Sequence, residues 1–141
     1  MSRQEENLAA VRAALERFQS GDVEGFLEFL DPDIEVFSTP ELANPTEARG
    51  RDAWLRWTAD WLEVWETFEI EARSIEPVGE HHVILDVRQH GKGKGSGIEV
   101  ELSVHYMLEM HDGVATRYHL YPDREQAEAE ALAGERRISS D

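Results

Sequence analysis

The stretch that decides the fold is IEVELSVHYMLEMHDGVATRYHLY, residues 98–121. Two runs of alternating side chains flank Asp112-Gly113, and a two-residue connection of that composition specifies a hairpin, because both central positions need positive φ. Counting outward from a His111–Val114 pair, Met110 faces Ala115, Leu108 faces Arg117, Tyr106 faces His119 and Val104 faces Tyr121, all on one side of the sheet. The other side then carries Ser103, His105, Met107, Glu109, Thr116, Tyr118 and Leu120. The first set is the more apolar. This reading therefore turns it toward the helices and leaves the second set to solvent or to a second copy of the chain.

Upstream, strand patterns at 68–76 and 82–90 lead into the hairpin, with Gly91-Lys92-Gly93-Lys94-Gly95-Ser96-Gly97 as a flexible turn. Ahead of them Leu8, Val11, Leu15 and Phe18 recur at helical spacing, and Asp22 caps a second short helix that Asp31-Pro32-Asp33 stops. Residues 34–37 alternate as a short strand, and 38–50, with Pro40, Asn44 and Pro45, read as a long loop. The strongest helix spans 51–67. It places Trp54, Trp57, Trp61, Val64 and Trp65, and so all four tryptophans, within about a third of its circumference. Asp123, with Gln126 three residues on, caps a final alanine-rich helix that Gly134 ends, leaving 135–141 as a frayed tail. Strands joined by hairpins pair antiparallel, and helices gathered ahead of them pack on one face. The expectation is one α+β domain over 1–134, a curved antiparallel sheet wrapped around a long helix with a conical pocket between them.

Composition agrees with one domain: 141 residues, 40% hydrophobic and 31% charged. The net charge of −16 repels phosphate backbones and anionic lipid, which argues against nucleic acid and membrane partners. No cysteine is present, and the six histidines include no helical i, i+4 pair, so neither a metal nor a cofactor is expected. His81 and His82, adjacent on a strand, would point to opposite sides. The glycine-rich turn precedes a strand, not a helix, and so is no phosphate cradle. No apolar run approaches the ~18 residues of a membrane helix and the start has no secretory pattern, so a cytoplasmic location is expected.

In this register Arg117, His119, Tyr106 and Tyr121 converge among Trp57, Trp61 and Leu108, the few polar groups expected in an otherwise apolar ligand site. His119 would move a proton, with Arg117 and Tyr106 steadying negative charge, and Trp57, Trp61, Leu108 and Tyr121 would contact the ligand. Asp60 reads as a solvated helix carboxylate, Asp86 as a partner of His105 on the outer side, and Asp123 as a helix cap.

Phe18-Gln19-Ser20-Gly21-Asp22, Leu30-Asp31-Pro32-Asp33-Ile34, Gly50-Arg51-Asp52-Ala53, Gly95-Ser96-Gly97, Asp112-Gly113 and Tyr121-Pro122-Asp123-Arg124-Glu125-Gln126-Ala127 follow in an order that resembles the SnoaL-like branch of the nuclear transport factor 2-like superfamily. The resemblance covers nearly the whole chain. It implies the ketosteroid isomerase-like, cystatin-like α+β fold and a homodimer, but no single activity, since that superfamily includes isomerases, cyclases, hydrolases and domains that only bind. The isomerases' first-helix tyrosine falls near Ala14, their general base near Phe37 or Ser38 and their oxyanion aspartate near Tyr106, so those groups are replaced here. The cyclases' acidic residue has its nearest match in Asp123. Two functions stand beside each other: cofactor-free acid/base chemistry on an apolar carbonyl or polyketide-like compound, and a non-catalytic ligand-binding or dimerisation module.

Overall fold

The computed structural model describes residues 2–39 and 47–139. Helices α1 (Arg3–Gln19) and α2 (Val23–Phe29) lead into β1 (Leu30–Ser38), and β2 (Glu47–Arg49) precedes α3 (Arg51–Glu63). Strands β3 (Trp65–Val78), β4 (His82–Gly93), β5 (Glu99–His111) and β6 (Val114–Tyr121) follow, then α4 (Arg124–Ser139). The capping side chains read from the sequence are in place. Asp22 accepts from the Gly25 amide at 2.9 Å and Asp123 from the Gln126 amide at 2.9 Å.

The six strands form one curved sheet in the order β2-β1-β6-β5-β4-β3. The meander from β3 to β6 is antiparallel as expected, while β1 adds to β6 in parallel and makes the sheet mixed. Most of the central 38–50 loop expectation falls on 40–46, outside the described residues; Ser38 still belongs to β1, and Glu47–Arg49 pairs with it as an edge strand.

Three features differ from the sequence reading. First, α3 stops at Glu63, so Trp65 opens β3 instead of extending the helix; its ring still meets Trp61 at 5.5 Å and lies across Gly91, where a Cβ would sit 2.6 Å from Trp65 Cε3. The helical period simply ran on into a strand that begins with the same residue type. Second, α4 continues through Gly134 to Ser139. Gly134 is not a stop signal there but a point of close approach, since a Cβ would fall 2.5 Å from His82 Nε2. Glu135 and Arg137, expected in a frayed tail, bond to His82 and Glu109.

Third, and decisive for the site, the β5–β6 ladder slips by one residue. Asp112 (φ 51°) and Gly113 (φ 79°) form the expected turn, and His111 pairs with Val114 and Met110 with Ala115. The next partner of Glu109 is Arg117, leaving Thr116 as the extra residue of a β-bulge. From there Leu108 pairs with Tyr118, Met107 with His119 and Tyr106 with Leu120. Because side chains alternate with period two, every residue of β6 beyond Thr116 sits on the face opposite to that expected.

The two faces now separate cleanly. Val83, Leu85, Val87, Val104, Leu108, Tyr118 and Leu120 pack with α1, α2 and α3 in the main core. Ile84, Met107 and Tyr121 lie behind the sheet under Ala127 and Ala131 of α4. Small residues at 127, 131 and 134 let that helix approach closely.

Candidate functional site

The cone between α1, α2, α3 and the sheet holds a cavity of about 80 Å3, counted as space open to the centre of a water molecule. At about 24 cal/mol per Å3, a dry void of that size costs roughly 2 kcal/mol. Its helix wall presents Trp54, Trp57, Thr58, Trp61 and Leu62 at helical spacing, and the sheet wall presents Gln89, Tyr106, Leu108, Tyr118 and Leu120. Trp54 is the closed end, 1% exposed, stacked on Phe26 at 4.8 Å and edge-on to Tyr118 at 6.2 Å. Leu62, 37% exposed, marks the open end.

Among the described residues, no lining side chain is charged and none is an imidazole. The polarity of the cone comes from hydroxyls, an amide and three indoles. Gln89 Nε2 donates to the Tyr106 hydroxyl at 3.0 Å, and the Tyr106 and Tyr118 rings meet edge-on at 5.4 Å. Burial raises the pKa of both phenols, that of Tyr118 well above 10 with the neighbouring Tyr106 adding to it, so both stay protonated at neutral pH and act as neutral hydrogen-bonding groups. Trp54 Nε1 and, one helical turn on, Thr58 Oγ1 are both buried without a hydrogen-bond partner. An unmet buried polar atom costs about 1–3 kcal/mol.

Of the residues singled out from the sequence, Trp57, Trp61, Tyr106 and Leu108 line this cavity. Arg117, His119 and Tyr121 do not: the Thr116 bulge turns all three to the outer face. There His119, 8% exposed, holds Glu35 through Nε2 at 3.0 Å and the Tyr121 hydroxyl through Nδ1 at 3.1 Å, with Phe37 beside its ring. Its pKa is lowered by burial, which outweighs the pull of Glu35 in the other direction. Arg117 Nε sits 3.3 Å from Glu35 and 3.9 Å from Glu109. The proton carrier and the anion holder expected for catalysis are therefore separated from the cone by the sheet itself.

That outer face carries a connected ionic cluster. Glu109, 5% exposed, meets His82 Nε2 at 3.3 Å, His111 Nε2 at 3.0 Å and Arg137. Burial alone would raise its pKa, but the adjacent His82, the hydrogen bond with His111 and the charges of Arg137 and Arg117 hold it far below the usual carboxylate range. His82, fully buried, has Glu135 on its other nitrogen, and His81 also reaches Glu135, at 3.5 Å. The two histidines expected on opposite sides thus share one carboxylate, because His81 lies in the turn before β4. Asp86 pairs with His105 at 2.6 Å as read from the sequence, and Arg124 joins them from α4. Asp60 is exposed on α3. No group of three metal-ligating side chains occurs among the described residues.

Gln89, Thr58, Trp54 and Tyr118 were not in the expected ligand set. Gln89 had a visible signal, a polar residue in phase with Val83, Leu85 and Val87 on an inward strand face.

A family profile described as a SnoaL-like domain matches residues 11–126. The chain belongs to the SnoaL-like family. No curated protein matches this SnoaL-like chain. Among solved structures it is similar to Bal32a from a soil-derived mobile gene cassette, with TM-score 0.76, 19% identity, and 92% of this chain and 98% of that one covered. It is also similar to TerC co-crystallised with polyporic acid, with TM-score 0.73, 20% identity and 90% and 98% covered. A third is RV0760c from Mycobacterium tuberculosis in complex with estradiol-17β-hemisuccinate, with TM-score 0.70, 16% identity and 85% and 95% covered. At these identities the likeness establishes the nuclear transport factor 2-like fold. No helix among the described residues is long and apolar enough to cross a membrane.

Proposed function

We propose that this SnoaL-like protein binds a small, uncharged, largely apolar molecule in the cone and does not transform it. The observation that carries this reading is the chemistry of the described walls: a general acid or base working near neutral pH needs a group that titrates there, and the cone offers only phenols locked in their protonated form. Trp57, Trp61, Tyr106 and Leu108 are the ligand contacts, supplying flat apolar surface around a few polar groups. Structures of similar fold that hold polyporic acid or estradiol-17β-hemisuccinate support a small organic ligand, while the expectation that it is uncharged rests on the walls of the cone alone. The acid/base alternative would need His119 on the other side of the sheet.

The test uses the neutral fluorescent probe N-phenyl-1-naphthylamine. Wild type should bind it with one site per chain and gain thermal stability, and Leu102→Trp, which narrows the cone from β5 without adding charge, should bind it at least tenfold more weakly. Absence of probe binding by wild type, or equal binding by Leu102→Trp, would overturn the proposal. A homodimer is proposed with it: α4 covers the Ile84–Met107–Tyr121 part of the outer face, so a second copy would use the strip around Arg88, Glu101 and Ser103. Light-scattering mass at micromolar concentration decides between one chain and two.

A further inference from the structure

Three aromatic rings meet at the open end of the cone. Trp61 and Phe68 belong to its wall and stand edge-on with centroids 6.3 Å apart. Trp65 packs on both, at 5.5 Å from Trp61 and 6.2 Å from Phe68. Its ring rests in turn on Gly91, where a Cβ would fall 2.6 Å from Cε3 and 2.8 Å from Cδ2. Gly91 is not among the glycines of positive φ, so its backbone would accept alanine and the missing side chain serves the ring. A seat shaped to one indole therefore fixes the two wall rings at the opening.

Three features give that ring a second position. The chain carrying it is loosely tied: α3 ends at Glu63, Val64 is 54% exposed, and the β3–β4 register shifts between Trp65 and Thr67, leaving Glu66 outside the ladder as a bulge. The tip of the next hairpin, which contains Gly93, Gly95 and Gly97, meets this segment through the Lys94 amide, which donates to the Val64 carbonyl at 3.1 Å. Finally, the seated indole buries Nε1 without a hydrogen-bond partner, although the residue is half-buried as a whole. An indole N–H can only donate, and an outward swing gives it to water. Packing on Trp61, Phe68 and Gly91 favours the seat and the unmet donor favours leaving it, so the two positions compete.

Resting on the binding reading above, we infer that Trp65 gates the cone: seated on Gly91 it holds Trp61 and Phe68 across the opening, and ligand enters and leaves while the ring is swung out to solvent. A gate that closes over the empty and the filled cone alike slows both directions by the same factor. It therefore sets the rate of exchange and leaves affinity to the walls.

Stopped-flow mixing with excess N-phenyl-1-naphthylamine separates a gate from padding. Trp65→Ala removes the ring, and Gly91→Ala fills its seat while keeping every aromatic side chain. Both should raise the association rate constant at least tenfold over wild type, and the dissociation rate constant with it, leaving Kd within about fivefold. A ring that only pads the wall would leave association unchanged and weaken binding through faster dissociation alone. Association within about twofold of wild type would overturn the gate while leaving the cavity reading in place. Should Trp65→Ala lose the wild-type circular dichroism spectrum, Gly91→Ala decides alone. Failure of wild type to bind the probe would overturn the cavity reading itself, and the gate with it.

Discussion

Gly134→Ala puts the packing of α4 to a test of sign. In an exposed helix interior, replacing glycine by alanine stabilises by about 1 kcal/mol, because alanine loses less backbone entropy on folding. Here the added Cβ would stand 2.5 Å from His82 Nε2 and 2.7 Å from Cε1. The ring cannot swing aside freely, since Glu109 and Glu135 hold its two nitrogens and it is fully buried. Overpacking of this kind costs about 1–3 kcal/mol. If the ring yields, a charge-assisted hydrogen bond worth about 1.5–3 kcal/mol goes with it. Set against the propensity gain, the net expectation when the ring yields is a loss of about 1.5–5 kcal/mol, which at about 3 °C per kcal/mol lowers Tm by roughly 5–15 °C. Thermal and urea melts by circular dichroism at pH 7 measure it. In a His82→Ala background the obstruction is gone, and the same substitution should become neutral or stabilising. A wild-type background in which Gly134→Ala raises Tm would refute the close approach of α4 to β4.

Thr58→Val exchanges an unpartnered buried hydroxyl for a methyl of the same shape and should stabilise the ligand-free protein by about 1 kcal/mol in urea melts. Arg117→Ala and His119→Ala should bind N-phenyl-1-naphthylamine within about threefold of wild type, since both side chains lie behind the sheet; fluorescence titration checks this. Stability should fall as pH drops from 7 to 4, for two reasons of the same sign. The pKa of His119 is depressed on folding, so the unfolded chain takes up its proton first below its ordinary 6.5 and gains over the native state. That of Glu109 is depressed as well, so its stabilisation is present above the ordinary 4.5 and is lost as pH falls toward its folded value. His119→Gln should flatten the upper part of the Tm-against-pH curve and leave the lower part.

Much of this architecture was legible because local signals were unambiguous. Asp112-Gly113 named its own turn, Asp22 and Asp123 named their helix starts, and the alternation around Asp86 placed it opposite His105. The site was half legible, since Trp57, Trp61, Tyr106 and Leu108 follow from helix and strand period alone, while the polar partners of the cone did not. What failed was extrapolation past the turn. A hairpin sets register only as far as the ladder runs without interruption, and Thr116 carries no glycine or proline to announce an interruption. A trace exists in hindsight: the inward residues of β6 step from Ala115 to Tyr118, three positions where an unbroken strand steps two. The length of α4 was misread for a similar reason, because Gly134 is needed for clearance and resembles a terminator only by composition.

The extra residue at 116 also has an evolutionary reading. Loss of this single codon would straighten β6 and leave Glu109 paired with Arg117 and Leu108 with Tyr118, so the bulge absorbs a change of length without altering which row faces the cone.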